Sequence, residues 1–149
     1  MKELLNAIKS QLRADLAYMR DRDIYVTPHT NYIPNAAKPP CVGLKDGGIT
    51  RTELPGGMWE VTLTVMLAVY VQLAKDEASI MGDTSTGKKG VLDIVDDIHA
   101  SLDENLFGLS GMIEAFSSSE AESEMFGDES EGLQRKIVTY QYVKEEERA

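Results

Sequence analysis

The stretch Met58–Gln72, MWEVTLTVMLAVYVQ, places Trp59, Val61, Leu63, Val65, Leu67, Val69 and Val71 at every second position. A period of two becomes a single face only in an extended strand. The residues between them are Glu60, Thr62 and Thr64, then Met66, Ala68, Tyr70 and Gln72. One face is thus apolar throughout, while its back is polar at first and mostly apolar later. That pattern predicts water behind the first half of the strand and a second covering layer behind the rest. Fifteen extended residues at about 3.3 Å each reach roughly 50 Å, against a diameter near 40 Å for a compact domain of 149 residues. Either the strand bends at a bulge or one end projects beyond the body.

What precedes the strand predicts a hairpin, a strand pair able to reach a neighbouring subunit. Ile49-Thr50-Arg51-Thr52-Glu53 is a short β-branched run, and Leu54-Pro55-Gly56-Gly57 is a turn with two glycines. Upstream, Cys41-Val42-Gly43-Leu44 reads as a strand closed by a Lys45-Asp46-Gly47-Gly48 turn. Three strands joined by short turns make an antiparallel meander.

Two amphipathic helices are available to cover it. From Lys2 to Met19, Leu4, Leu5, Ile8, Leu12, Leu16 and Met19 fall at steps suited to one helical stripe. From Val91 to about Glu104, the stripe is Val91, Leu92, Ile94, Val95, Ile98 and Leu102, with Asp93, Asp96, Asp97 and Asp103 facing out. Between helix and meander, Ile24-Tyr25-Val26 is a short extended piece and Thr27–Pro40, with four prolines, is an irregular loop. The segment Leu73–Met81 reads as strand end or helical turn. Met112–Phe116 and Arg135–Val143 read as strands separated by the acidic segment SSSEAESEMFGDESEG, and Glu145–Arg148 as a frayed tail. The expected fold is α+β: one domain over residues 1–149, with a mainly antiparallel sheet of four or five strands, a long central hairpin and two covering helices.

Few residues suggest chemistry. The single cysteine, Cys41, sits beside Val42 and Leu44, reads as a buried structural thiol and excludes internal disulfides. His29 lies in a proline loop far from His99, the other histidine. Gly82–Lys89, GDTSTGKK, satisfies the GxxxxGK part of a phosphate loop, but Lys89 stands where the Mg²⁺-holding Ser or Thr belongs. Lysines are unfavourable at a helix N-terminus, which suggests that Gly90 separates Lys88 and Lys89 from the helix start. In the acidic segment, Glu120, Glu122 and Glu124 form no calcium loop with a closing Glu. No nucleophile, base or metal cage can be assembled from spacing, so the chain reads as not an enzyme, with no cofactor and no metal. Nothing at the N-terminus resembles a signal peptide, and no apolar run approaches the ~20 residues of a membrane span. The net charge of −10 opposes wrapping of nucleic acid, while an acidic wall would let DNA pass without adhering.

In layout, the chain resembles the small tail-terminator, or tail-completion, proteins of long-tailed bacteriophages and prophages. The features are the opening Lys2–Met19 helix, Pro39-Pro40-Cys41-Val42-Gly43-Leu44 as first strand, the Gly-bracketed hairpin into Trp59–Val71, the Val91–Glu104 helix and the terminal strands. The resemblance implies a hexameric ring made by copies of this chain. Such a ring caps the tail tube, meets the tube protein on one side and the head connector on the other, and passes DNA only as cargo, with no membrane partner. It implies a place in the virion tail after assembly in the bacterial cytoplasm. The hairpin tip Leu54, Pro55, Gly56, Gly57 and Met58 is the expected contact with the next subunit or tube. The alternative is a small cytoplasmic ligand- or nucleotide-binding domain using Gly82–Lys89. A tube or baseplate subunit of a related contractile system is a third reading.

Overall fold

The computed structural model describes residues 1–73, 77–126 and 132–147. In chain order the elements are helix α1 (Lys2–Asp15), β1 (Ile24–Val26), β2 (Cys41–Leu54), β3 (Met58–Gln72), a one-turn helix α2 (Ala78–Met81), α3 (Val91–Leu102), β4 (Met112–Glu120), β5 (Glu124–Phe126) and β6 (Leu133–Glu147). The sheet runs β1-β2-β3-β6-β4, with β5 also paired to β6. Among the described residues it has six strands rather than four or five, and β1 pairs with β2 in parallel, so the sheet is mixed although mainly antiparallel. The fold class is α+β, as expected.

β3 occupies the bounds its alternation dictates and is the sheet's central ladder, paired along its length with β2 on one side and β6 on the other. Val61, Leu63, Val65, Leu67, Val69 and Val71 are buried against the stripes of α1 and α3. Behind the later half of β3, Ala68 and Tyr70 are buried too, in a second cluster with Tyr25, Ala37 and Cys41. The proline loop closes this cluster. Tyr70 Oη donates to the Thr30 carbonyl, and Arg135 reaches both that carbonyl, at 3.3 Å, and the Asn31 side chain. Among the described residues, no such layer lies behind the polar first half.

Several boundaries depart from expectation. Lys45–Gly48 is not a turn: β2 runs unbroken from Cys41 to Leu54, and the register slips between Asp46/Val65 and Ile49/Leu63, so Gly47 and Gly48 together oppose Thr64. This is a β-bulge, and the expected three-strand meander is one long hairpin. Gly47 is required by contact, since a Cβ there would lie 2.8 Å from the Thr64 carbonyl oxygen.

Helix α1 stops at Asp15, four residues short of Met19. Leu16 and Met19 stay in the core but outside the helix, because the chain must turn there to bring Ile24 onto β2, and Arg13 Nη2 holds the returning Ile24 carbonyl at 2.8 Å. In α3, Leu92 is more than one-third exposed and leaves the expected stripe. The Ser-rich start of the acidic segment belongs to β4, and Glu124–Phe126 forms β5. Residues 127–131 of that segment lie outside the described residues, as do 74–76 and 148–149. Glu145–Glu147 are not frayed, because they pair with Glu60, Trp59 and Met58, where the full-length β3 offers their backbone partners.

Candidate assembly interface

The lower half of the sheet, Gly48–Leu54 with Met58–Thr64 and Gln141–Glu147, forms an arm that β4 flanks as a fourth strand over Gln141–Lys144 and that is three-stranded beyond it. The sequence suggested a two-stranded arm; β6 is the added strand. Its tip is held by Gly56 and Gly57 at φ +84° and +79°, where L side chains are strained, and neither faces another atom within 4 Å of an added Cβ. Pro55 and Gly56 are exposed, and Leu54, Gly57 and Met58 are half-buried. All five expected interface residues therefore lie together at the end of the arm. Beyond Leu44 no described strand pairs with the outer edge of β2, and none pairs with the outer edge of β4.

The two faces of the arm differ in charge. On the helix side, Glu146 is shared by Lys144 at 3.2 Å and Arg51 at 3.9 Å. On the other side Glu60 stands directly opposite Glu145, a like-charge pair that costs stability in a sheet.

The Gly82–Lys89 loop closes on itself through two backbone bonds between Asp83 and Lys88, and it follows α2 rather than a strand. Gly90 separates the lysines from α3, as the sequence suggested. Its amide is taken by Asp93 Oδ2 at 3.0 Å. Lys89 Nζ is spent on Asp97 Oδ2 at 2.6 Å and lies 4.4 Å from the centre of the Tyr18 ring, whose hydroxyl donates to the same carboxylate. Burial would raise the Asp97 pKa, but these donors outweigh it and hold the group below the usual carboxylate range. The adjoining cleft of about 380 Å³ is lined by Asp83, Asp93, Asp96 and Asp97 together with Lys88 and Lys89, so a phosphate there would face four carboxylates against two lysines, one of them already paired with Asp97.

The remaining candidates fall into structural roles. Cys41 is fully buried beside Tyr25, and burial pushes its thiol up to about 12, away from thiolate chemistry. His29 is exposed and accepts the Asn31 amide at Nδ1. His99 is elsewhere, in a network no spacing would have revealed. Its Nδ1 lies 2.5 Å from Tyr140 Oη, which donates to Asp103, and its Nε2 meets Glu120. Glu120 and Glu124 do not converge, because Glu124 pairs with Arg135 instead. Among the described residues no three metal-ligating side chains gather, and no described helix is long and apolar enough to cross a membrane.

No protein-family profile matches the chain, and no curated protein sequence does. A solved structure does. The fold is similar to that of a chain from the virion of a native gene transfer agent particle, with a TM-score of 0.57 at 14% identity, covering 95% of this chain and 94% of that one. At this identity the likeness concerns the fold, and it extends over both chains nearly end to end.

Proposed function

We propose that the chain is a structural subunit of a phage-type particle and that it works as a tail terminator. Six copies close into a ring that caps the tail tube, joins it to the head connector and leaves a bore for DNA. The observation that carries this reading is the near end-to-end fold likeness to a virion chain. The arm supports it: an extension reinforced by β6, with an exposed tip and the open outer edges of β2 and β4 at its two sides, is a surface for other subunits. A heterologous contact repeated about a closing rotation builds a ring from one chain. The role is assembly rather than catalysis.

Native mass spectrometry and negative-stain microscopy of the full chain test the proposal. The expected species is a closed ring of six copies of the 16.5 kDa chain that binds the end of a tail tube. A strict monomer at every concentration, with no affinity for tube ends, overturns it. The nucleotide-binding alternative is opposed by the cleft's four carboxylates and the internally engaged Lys89.

A further inference from the structure

Alongside the arm lies an open cavity of about 520 Å³ between the start of α1, the Leu109–Met112 turn and the end of β6. Leu4, Leu63, Leu109, Met58 and Met112 contribute its apolar lining, and methionine is the side chain that best adapts to an incoming shape. Its rim is acidic on balance: Glu3, Glu145, Glu146 and Glu147 line it with Lys144 and Met1, and Lys144 is taken by Glu146, so that Glu3, Glu145 and Glu147 have no ion-pair partner among the described residues. The wall formed by the 104–111 loop holds strain. Glu104 and Phe107 sit at φ +59° and +56° without being glycine, a conformation that persists only where the surroundings enforce it. Beneath that loop, Tyr142 Oη is buried with no hydrogen-bond partner.

We propose that this cavity is the socket for the hairpin tip of a second copy of the chain, Leu54 and Pro55 filling it while Arg51 of the incoming hairpin meets Glu145 and Glu147. Two features select this occupant. Leu54 and Pro55 are apolar residues of the tip, and there is open space where a side chain at either tip glycine would stand. Arg51 is more than half exposed and held by its own Glu146 only at 3.9 Å, so it can exchange to a rim where four glutamates stand around one lysine. A chain cannot fill its own socket, because the pairing of β3 with both β2 and β6 fixes its tip in line with the arm. The contact is heterologous, tip to socket. The inference rests on the ring reading, for which it supplies the repeating contact.

Mixed-chain cross-linking tests it. A P55C chain and an S110C chain are treated with a short bis-maleimide, separately and together, while native Cys41 has no exposed surface to react. The expected result is a covalent dimer in the mixture and almost none in either chain alone. R51E on the P55C chain should lower the cross-linked fraction several-fold, and E145R/E147R on the S110C chain should restore it. No mixture-specific dimer, or one indifferent to R51E, overturns the socket. A wild-type ring without this cross-link leaves the ring reading standing and the socket wrong. The cross-link in a chain that never closes into a ring upholds the socket and overturns the ring.

Discussion

The upper and lower halves of the sheet share the same three long strands, yet they are held by different physics. In the upper half both faces are packed: helices α1 and α3 cover one, and Tyr25, Ala37, Cys41, Ala68 and Tyr70 fill the other beneath the proline loop. In the lower half the helix face is covered, while the back carries Thr50, Thr52, Thr62, Thr64 and Gln141 around a buried Val143, with the Glu60–Glu145 pair. The upper half therefore carries most of the folding free energy, since buried apolar area dominates it. The arm is held by its ladders and by one buried face, that of Val61, Leu63 and Tyr142.

That contrast can be attacked directly. The largest effect is expected from Y70A, which empties the second core cluster and releases the loop's anchor at Thr30. By analogy with other buried aromatics it should cost about 3–5 kcal/mol in urea unfolding, whereas T62A on the open arm should change stability by less than about 0.5 kcal/mol. Equal losses would dissolve the distinction.

Asp23 comes next. It is buried, accepts the Arg20 guanidinium at 2.8 and 2.9 Å and the Lys38 amide at 2.9 Å, and so ties the proline loop to the segment between α1 and β1. Burial pushes its pKa up, but those donors prevail and hold it below the ordinary value. A depressed folded pKa contributes stability that is fully present above the unfolded value near 3.9 and is lost as pH falls through the folded one. D23N should therefore cost about 1.5–3 kcal/mol at pH 7 and flatten the loss of melting temperature below about pH 4. An unchanged acid limb would show that Asp23 has no part in the acid sensitivity.

The bulge separates the two halves and has its own asymmetry. G47V should cost about 1–3 kcal/mol, since its Cβ would meet the Thr64 backbone at 2.8 Å, while G48A, with nothing within 4 Å, should be close to neutral. Reversed sensitivities, measured by thermal melting, would mean the bulge is set otherwise. The smallest effect is a gain. E60Q should stabilise the free chain by about 0.2–1 kcal/mol by relieving the repulsion with Glu145, more at low salt than at high. A loss instead would show that Glu60 has a stabilising role within the chain.

Much of this architecture is legible from residue order. The β3 alternation predicts its bounds, its buried face and the change of character along its back, because side-chain direction in a strand is a local, covalent property. The stripes of both helices are legible for the same reason, although α1 ends where the chain must turn toward β1. The bulge reads as a turn because two glycines after Lys-Asp serve either structure, and only the opposing Thr64 decides between them. The Glu145–Glu147 run looks like a solvated tail because its composition is that of one; a strand partner fifteen residues long overrides it. The Gly82–Lys89 motif is weak on its own terms, lacking the Ser or Thr, and the surrounding aspartates weigh further against it.

The candidate interface divides the same way. The tip Leu54–Met58 can be named from Pro-Gly-Gly alone, since the turn chemistry is local. Its socket cannot, because Leu4, Leu63, Leu109 and Met112 are brought together from separate segments. Residue order determined which stretches are extended or helical and which face each would bury. Tertiary structure alone decided that β6 completes the arm, that the proline loop roofs the second core and that an acidic-rimmed cavity opens alongside the arm, because pairing and closure depend on what distant segments present to one another.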